Sequence, residues 1–312
     1  MPPRSYKERI EGVALDLAWS LWAELGVSGW RRRHEGIAID LEPLMIATAQ
    51  LGAYDARLQT ESLDWCVLNA RFISAVRLRN LLPTFGQSAV LAFSSFGATV
   101  RLHRPRTMNW PGEQTPNVLR FEPTGRSSVP DLDRSALIQL KLRAVFGVSA
   151  RAEIILRLLP EPTRPFGISE LSMYTAYRKD NLSDALAFLG LAKIVERNVM
   201  TTASNTQVFR MRAEKGLQAL LVELPAQDGY PYWAARFRVM LRILEFAASG
   251  SQDPAARAAD IVRLVGDSQL DLRWVASYPH IGRGVEAINE GFDRWSVDLL
   301  SAWARTDTVQ PQ

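Results

Sequence analysis

The stretch from Ser149 to Arg212 constrains this chain most, because its hydrophobic spacing changes several times at residues that enforce each change. Ser149 suits a helix N-cap, and Ile154, Ile155, Leu158 and Leu159 follow as an apolar stripe at helical spacing. Pro160 and Pro162 end that helix, since proline lacks the amide donor and disfavours helix in the residue before it. Ser169 is placed to cap a short second helix carrying Leu171, and Tyr174 to Tyr177 reads as a turn. Leu182, Leu186 and Leu189 then bury one face of a third helix, with Gly190 near its end. Ile194, Val195 and Val199 bring β-branched strand character, Asn198 to Asn205 a small polar tip, and Val208 and Phe209 a returning strand.

Helix, short helix, turn, helix and two-stranded ribbon, in that order, predict a winged helix-turn-helix, a module whose usual work is to place one helix in the major groove of DNA. The word ALAFLGLAKIVER resembles the end of the recognition helix and the first wing strand of MarR-like and ArsR-like regulators. The reading helix is expected from about Arg178 to Leu191, and its first turn offers Tyr177, Arg178, Lys179, Asn181 and Ser183. Arginine pairs with guanine and asparagine with adenine in two-pronged fashion, while lysine reaches phosphate or guanine. Asp180 and Asp184 would repel phosphate and are expected to point away. On the wing, Arg197, Asn198, Thr201, Thr202 and Asn205, with Gln207, suit phosphate or minor-groove contact. The same residues also suit the wetted surface of a winged helix that binds protein.

Charge follows the module. Residues 134–216 hold 13 Lys and Arg against 7 Asp and Glu, whereas the rest of the 312-residue chain holds 24 against 26. A local basic excess is what a phosphate-bearing partner requires.

Residues 1–103 read as a helical N-terminal domain, with Ile10, Val13, Leu17, Leu21 and Leu25 as its first stripe and Asp40, Glu42 and Pro43 as a helix start. The cluster from Arg31 to His34 invites a nucleic-acid reading but suits a solvated loop better, and Arg71, Arg77 and Arg79 suit either phosphate contact or the wet face of a helix. Residues 104–133, with five prolines, read as a linker; 134–224 form the winged domain, and 225–312 a helical C-terminal domain. There Trp233, Phe237 and Met240, then Ile261, then Phe292, Trp295 and Trp303 mark core positions. The fold class expected is mainly α, with a two-stranded β wing at its centre. No apolar run is long enough for a bilayer, and MPPRSYKERIEG lacks the apolar core of a signal peptide, so no membrane and a cytoplasmic site are expected.

Catalytic chemistry finds no motif. His34, His103 and His280 lie in unrelated segments, and Cys66 stands alone in the apolar word LDWCVL. Neither a phosphate loop nor a nucleophile elbow is present, and Gly282-Arg283-Gly284 completes no dinucleotide fingerprint. The expectation is therefore no enzyme, no cofactor and no metal. The words IDLEPLMIATAQLG, DARLQTESLDW and RLRNLLP resemble the AbiEi-type antitoxin group of bacterial regulators, encoded beside nucleotidyltransferase toxins. That resemblance implies autorepression and toxin neutralisation. The expected function is a DNA-binding transcriptional regulator, homodimeric on double-stranded DNA; the alternative is a protein-interaction or antitoxin component that binds through the same surfaces.

Overall fold

The computed structural model describes residues 5–28, 30–104, 110–111, 117–200, 206–221, 223–275, 277–279 and 282–305. Its first helix, α1 (Tyr6–Glu24), opens with a capping box: the Glu8 amide donates to the Ser5 hydroxyl and the Ser5 amide to the Glu8 carboxylate. Next come α2 (Leu41–Leu51), α3 (Ala56–Leu68), α4 (Ala75–Leu81) and α5 (Gln87–His103). Asp55 caps α3 through the amides of Arg57 and Leu58 and also accepts from the Trp19 indole at 2.8 Å, tying α1 to α3. At the far end of the chain lie α11 (Trp233–Ser249), α12 (Pro254–Asp267), α13 (Gln269–Val275) and α14 (Val285–Arg305).

These two sequence-distant sets form one helical unit, not the separate N- and C-terminal domains expected. Helix α14 packs along α1, and α11 packs on both α1 and α2. One continuous core runs from Ile10 and Trp22 through Trp65 and Phe93 to Phe237, Phe292 and Leu300. Both sets contribute fully buried side chains to it, so each covers apolar faces of the other. Cys66 is buried in this core, as the sequence implied.

Between the halves lies a central unit built from α6 (Ile138–Phe146), α7 (Ala150–Leu158), β1 (Phe166–Gly167), α8 (Ile168–Thr175), α9 (Lys179–Leu191), β2 (Val195–Met200), β3 (Thr206–Met211) and α10 (Glu214–Leu221). Its own core gathers Ile154, Ile155, Leu158, Leu182, Leu186 and Leu189 around Phe166. The strands form a three-stranded antiparallel sheet in the order β1-β3-β2, with Phe166 opposite Phe209 and Val195 opposite Met211. The short β1 was not expected. It takes the place of the Ser169 cap, so α8 starts two residues earlier, at Ile168 after Gly167.

Nor is the span 104–133 a free linker. The Asp64 carboxylate accepts the amides of Thr124, Gly125 and Ser127 at 2.6–3.1 Å. Burial alone would raise the pKa of Asp64, but these amides hold it below the ordinary carboxylate value. Trp110 is buried and stacks on Phe93, and the Leu119 amide donates to Thr99. Gly26, at φ +98°, lets this segment lie so close that a β-carbon there would sit 1.9 Å from the Ser128 carbonyl oxygen.

The Arg31–His34 loop splits in two. Arg31 and Arg32 are exposed, but His34 is fully buried. Its Nε2 donates to the Trp303 carbonyl of α14 at 2.8 Å, so Nδ1 accepts from the Ser20 hydroxyl of α1, also at 2.8 Å. The ring therefore works in its neutral form, and burial lowers its pKa below the ordinary 6.5. The unfolded chain takes up this proton first. Stability from His34 is thus complete above about pH 6.5 and declines as pH falls below it. The melting temperature is expected to drop between pH 7 and 5, before the carboxylates titrate, and this early drop should vanish in His34→Gln. A flat parent profile over that range would refute the assignment.

Candidate nucleic-acid interface and the joint behind it

Helix α9 buries Leu182, Ala185, Leu186 and Leu189 against the central core. Arg178 is its N-cap, and Lys179, Asn181 and Ser183 stand exposed in the first turns. The helical period sets what faces outward: Asp180, Asp184, Ala187 and Leu191 lie opposite the buried stripe, flanked by Asn181 and Phe188 on one side and by Lys179 and Ser183 on the other. The two aspartates therefore do not turn away; they occupy the middle of the exposed face. Leu191 is 81% and Phe188 61% exposed, with the Arg151 guanidinium over the Phe188 ring at 5.8 Å. Sequence reasoning missed this apolar end.

Gly190 lies inside the helix. The left-handed residue is Lys193, at φ 56°, where the Ile194 amide reaches back to the Leu189 carbonyl and closes the helix end.

Tyr177 leaves the candidate set. It is 6% exposed, and its hydroxyl bonds the Ser74 hydroxyl at 3.0 Å, so no groove can reach it. Burial raises its pKa. The wing residues Arg197 and Asn198 are exposed on β2, Asn198 donating to Glu196, which is also ion-paired with Arg210. Thr201, Thr202 and Asn205 lie outside the described residues.

The start of α9 is positioned from the other unit. Thr175 ends α8 and leads into the turn of Ala176 and Tyr177, with Ala176 in the left-handed region at φ 57°. Helix α4 holds all three residues. Arg77 Nε donates to the Thr175 carbonyl at 2.9 Å, Asn80 to the Ala176 carbonyl at 2.8 Å, and Ser74, the α4 N-cap, meets Tyr177.

Arg77 is thus not on a wet helix face; it is 1% exposed, at the head of a buried ionic network. Its guanidinium meets Asp40 on two nitrogens, at 2.6 and 2.7 Å, and contacts Glu42. Arg143 of α6 bridges both Glu42 oxygens at 2.7 and 2.8 Å and meets Glu153 of α7 at 2.6 Å. Gln139 links Asp40 to Glu153, and the Ser74 amide donates to Glu42. Two arginines thus face three carboxylates, and two of those acids, Asp40 and Glu42, come from the helical unit. Burial alone would raise the Glu42 pKa, but Arg143 and Arg77 bring it below the ordinary value.

Among the described residues no group of side chains could hold a metal ion, and no helix is long and apolar enough to cross a membrane. No family model, curated protein or solved structure matches this chain.

Proposed function

We propose that the central unit is a winged helix-turn-helix and that the protein is a DNA-binding regulator of transcription. The observation that carries this reading is the order α7, β1, α8, α9, β2, β3 with β1 paired to the middle of β3. That arrangement leaves α9 and the β2–β3 ribbon side by side at the surface. DNA contact falls to the first turn of α9, through Arg178, Lys179, Asn181 and Ser183, and to Arg197 and Asn198 of the wing. It ends there, because Asp184, Phe188 and Leu191 beyond offer phosphate nothing.

Replacing Arg178 and Lys179 together with alanine is expected to cost about 2–4 kcal/mol of binding, roughly a hundredfold, with folding intact because both are exposed. The measurement is fluorescence anisotropy at fixed salt on a duplex selected from a random pool. Arg197→Ala should weaken all duplexes alike and reduce the salt slope by about one. Unaltered affinity in the double variant would remove α9 from the reading role.

A second reading, that this surface binds protein, is favoured by the outward aspartates and the exposed Phe188 and Leu191. An autorepressing, toxin-neutralising regulator would use both surfaces. A stoichiometric protein partner lost on Leu191→Glu, with no nucleic acid bound, would favour the second over the first.

A further inference from the structure

Beside the start of α9, the two units leave a cleft of ≈ 550 Å³ between α8, α4 and the α11–α13 corner. That volume lies within the range of small-ligand sites. Leu270 is 73% exposed and Met173 37%, so the cleft offers apolar side chains to the body of a ligand. Trp274 supplies an aromatic wall. Its indole is held edge-on by Tyr174 and Tyr232 at 5.1 and 5.8 Å, so it is already fixed in place.

The charged groups of the lining differ in how far they are committed. Arg238 is held by both oxygens of Asp271 at 2.6–3.0 Å. Arg242 donates to the Asp267 carbonyl and the Ser268 hydroxyl. The Arg178 guanidinium makes no hydrogen bond or ion pair among the described residues, and it lines the cleft. Asp267, exposed and also in the lining, disfavours a second negative charge. Three arginines against two aspartates leave the lining positive by one.

We propose that this cleft binds a small organic monoanion, a carboxylate or sulfonate on an aromatic body, with Arg178 taking the charged group and Trp274 and Met173 the body. Occupancy of the cleft stands apart from DNA binding. Its consequence rests on the reading above: an anion on Arg178 takes away one of the two cations in the first turn of α9, so ligand and DNA compete.

The probes are anilinonaphthalene sulfonate and its uncharged parent, phenylnaphthylamine, titrated by fluorescence into the full chain without DNA. The sulfonate is expected to bind saturably, one per chain and about tenfold tighter than the neutral dye. Arg178→Gln should abolish that preference, Trp274→Ala should weaken both dyes, and Phe188→Ala should change neither. Equal affinity of the parent protein for the two dyes, a preference that survives Arg178→Gln, or no saturable binding would each overturn the proposal. With DNA added, the sulfonate should lower the affinity of the parent protein but not that of Trp274→Ala. Failure to bind DNA at all, with the dye preference intact, would refute the DNA reading alone.

Discussion

Arg143→Met is expected to cost about 3–5 kcal/mol of folding stability, because it removes one of two cations from a buried site that holds three carboxylates. Both faces of the Arg143 guanidinium fork are in use, one toward Glu42 and the other toward Glu153, and Arg143 Nη1 also donates to the Phe72 carbonyl at 2.7 Å. Glu42, buried completely, would then keep only Arg77 and the Ser74 amide. The cost is that of the stranded charge, which is larger than the net worth of the intact network. Arg143→Lys tests the geometry: a single ammonium cannot serve both carboxylates, so lysine should restore only part of the loss. Urea unfolding at pH 7 reads all three proteins. A loss under about 1 kcal/mol in Arg143→Met would show that Glu42 is hydrated or protonated and that the network is not ionic.

The second large effect is expected at Phe292→Ala, again about 3–5 kcal/mol. Phe292 is fully buried on α14 and packs edge-on against Phe246 of α11 at 5.2 Å. Around it α14 reaches α1, where Tyr6 bonds Ser296 at 3.0 Å and the Arg257 guanidinium of α12 lies over the Tyr6 ring. The loss should therefore be felt throughout the helical unit. Hydrogen exchange in α1 is expected to accelerate together with exchange in α14 and α11. Acceleration confined to residues beyond 225 would mean that the two ends of the chain form separate domains after all.

Periodicity made most of the helices legible, because α1, α9, α11 and α14 bury stripes whose spacing is visible in the residues themselves. The order of the central unit was legible for the same reason, assisted by Pro160 and Pro162. What escaped depended on partners far away in sequence. Arg77 looks like a wet-face arginine and Arg143 draws no notice, since nothing adjacent to them reveals Asp40, Glu42 or Glu153. Tyr177 looks like a reading residue beside Arg178, and only the approach of Ser74 from 103 residues upstream buries it. Two-residue β1 is too short to show alternation. Gly190 marks the end of α9 to within one residue, while the left-handed residue that follows is Lys193. For the candidate site, residue types pointed to the first turn of α9, while the helix phase put Asp180 and Asp184 at the centre of the outward face.

The interleaving of the two units has a consequence for how the polypeptide is made. Residues 138–221 hold all of the central cluster's buried side chains except Ala38 and are expected to condense early in synthesis. Helices α1 to α5 emerge earlier, yet their shared core lacks Phe237, Phe292 and Leu300 until the last helices are translated. At ordinary elongation speeds that wait lasts on the order of ten seconds or more. During synthesis the later-emerging middle is finished first, while the earliest helices wait with their apolar stripes uncovered, as natural clients for chaperones. The grip of α4 on the turn before α9 is therefore expected to tighten late, once the last helices have fixed α4 in its unit.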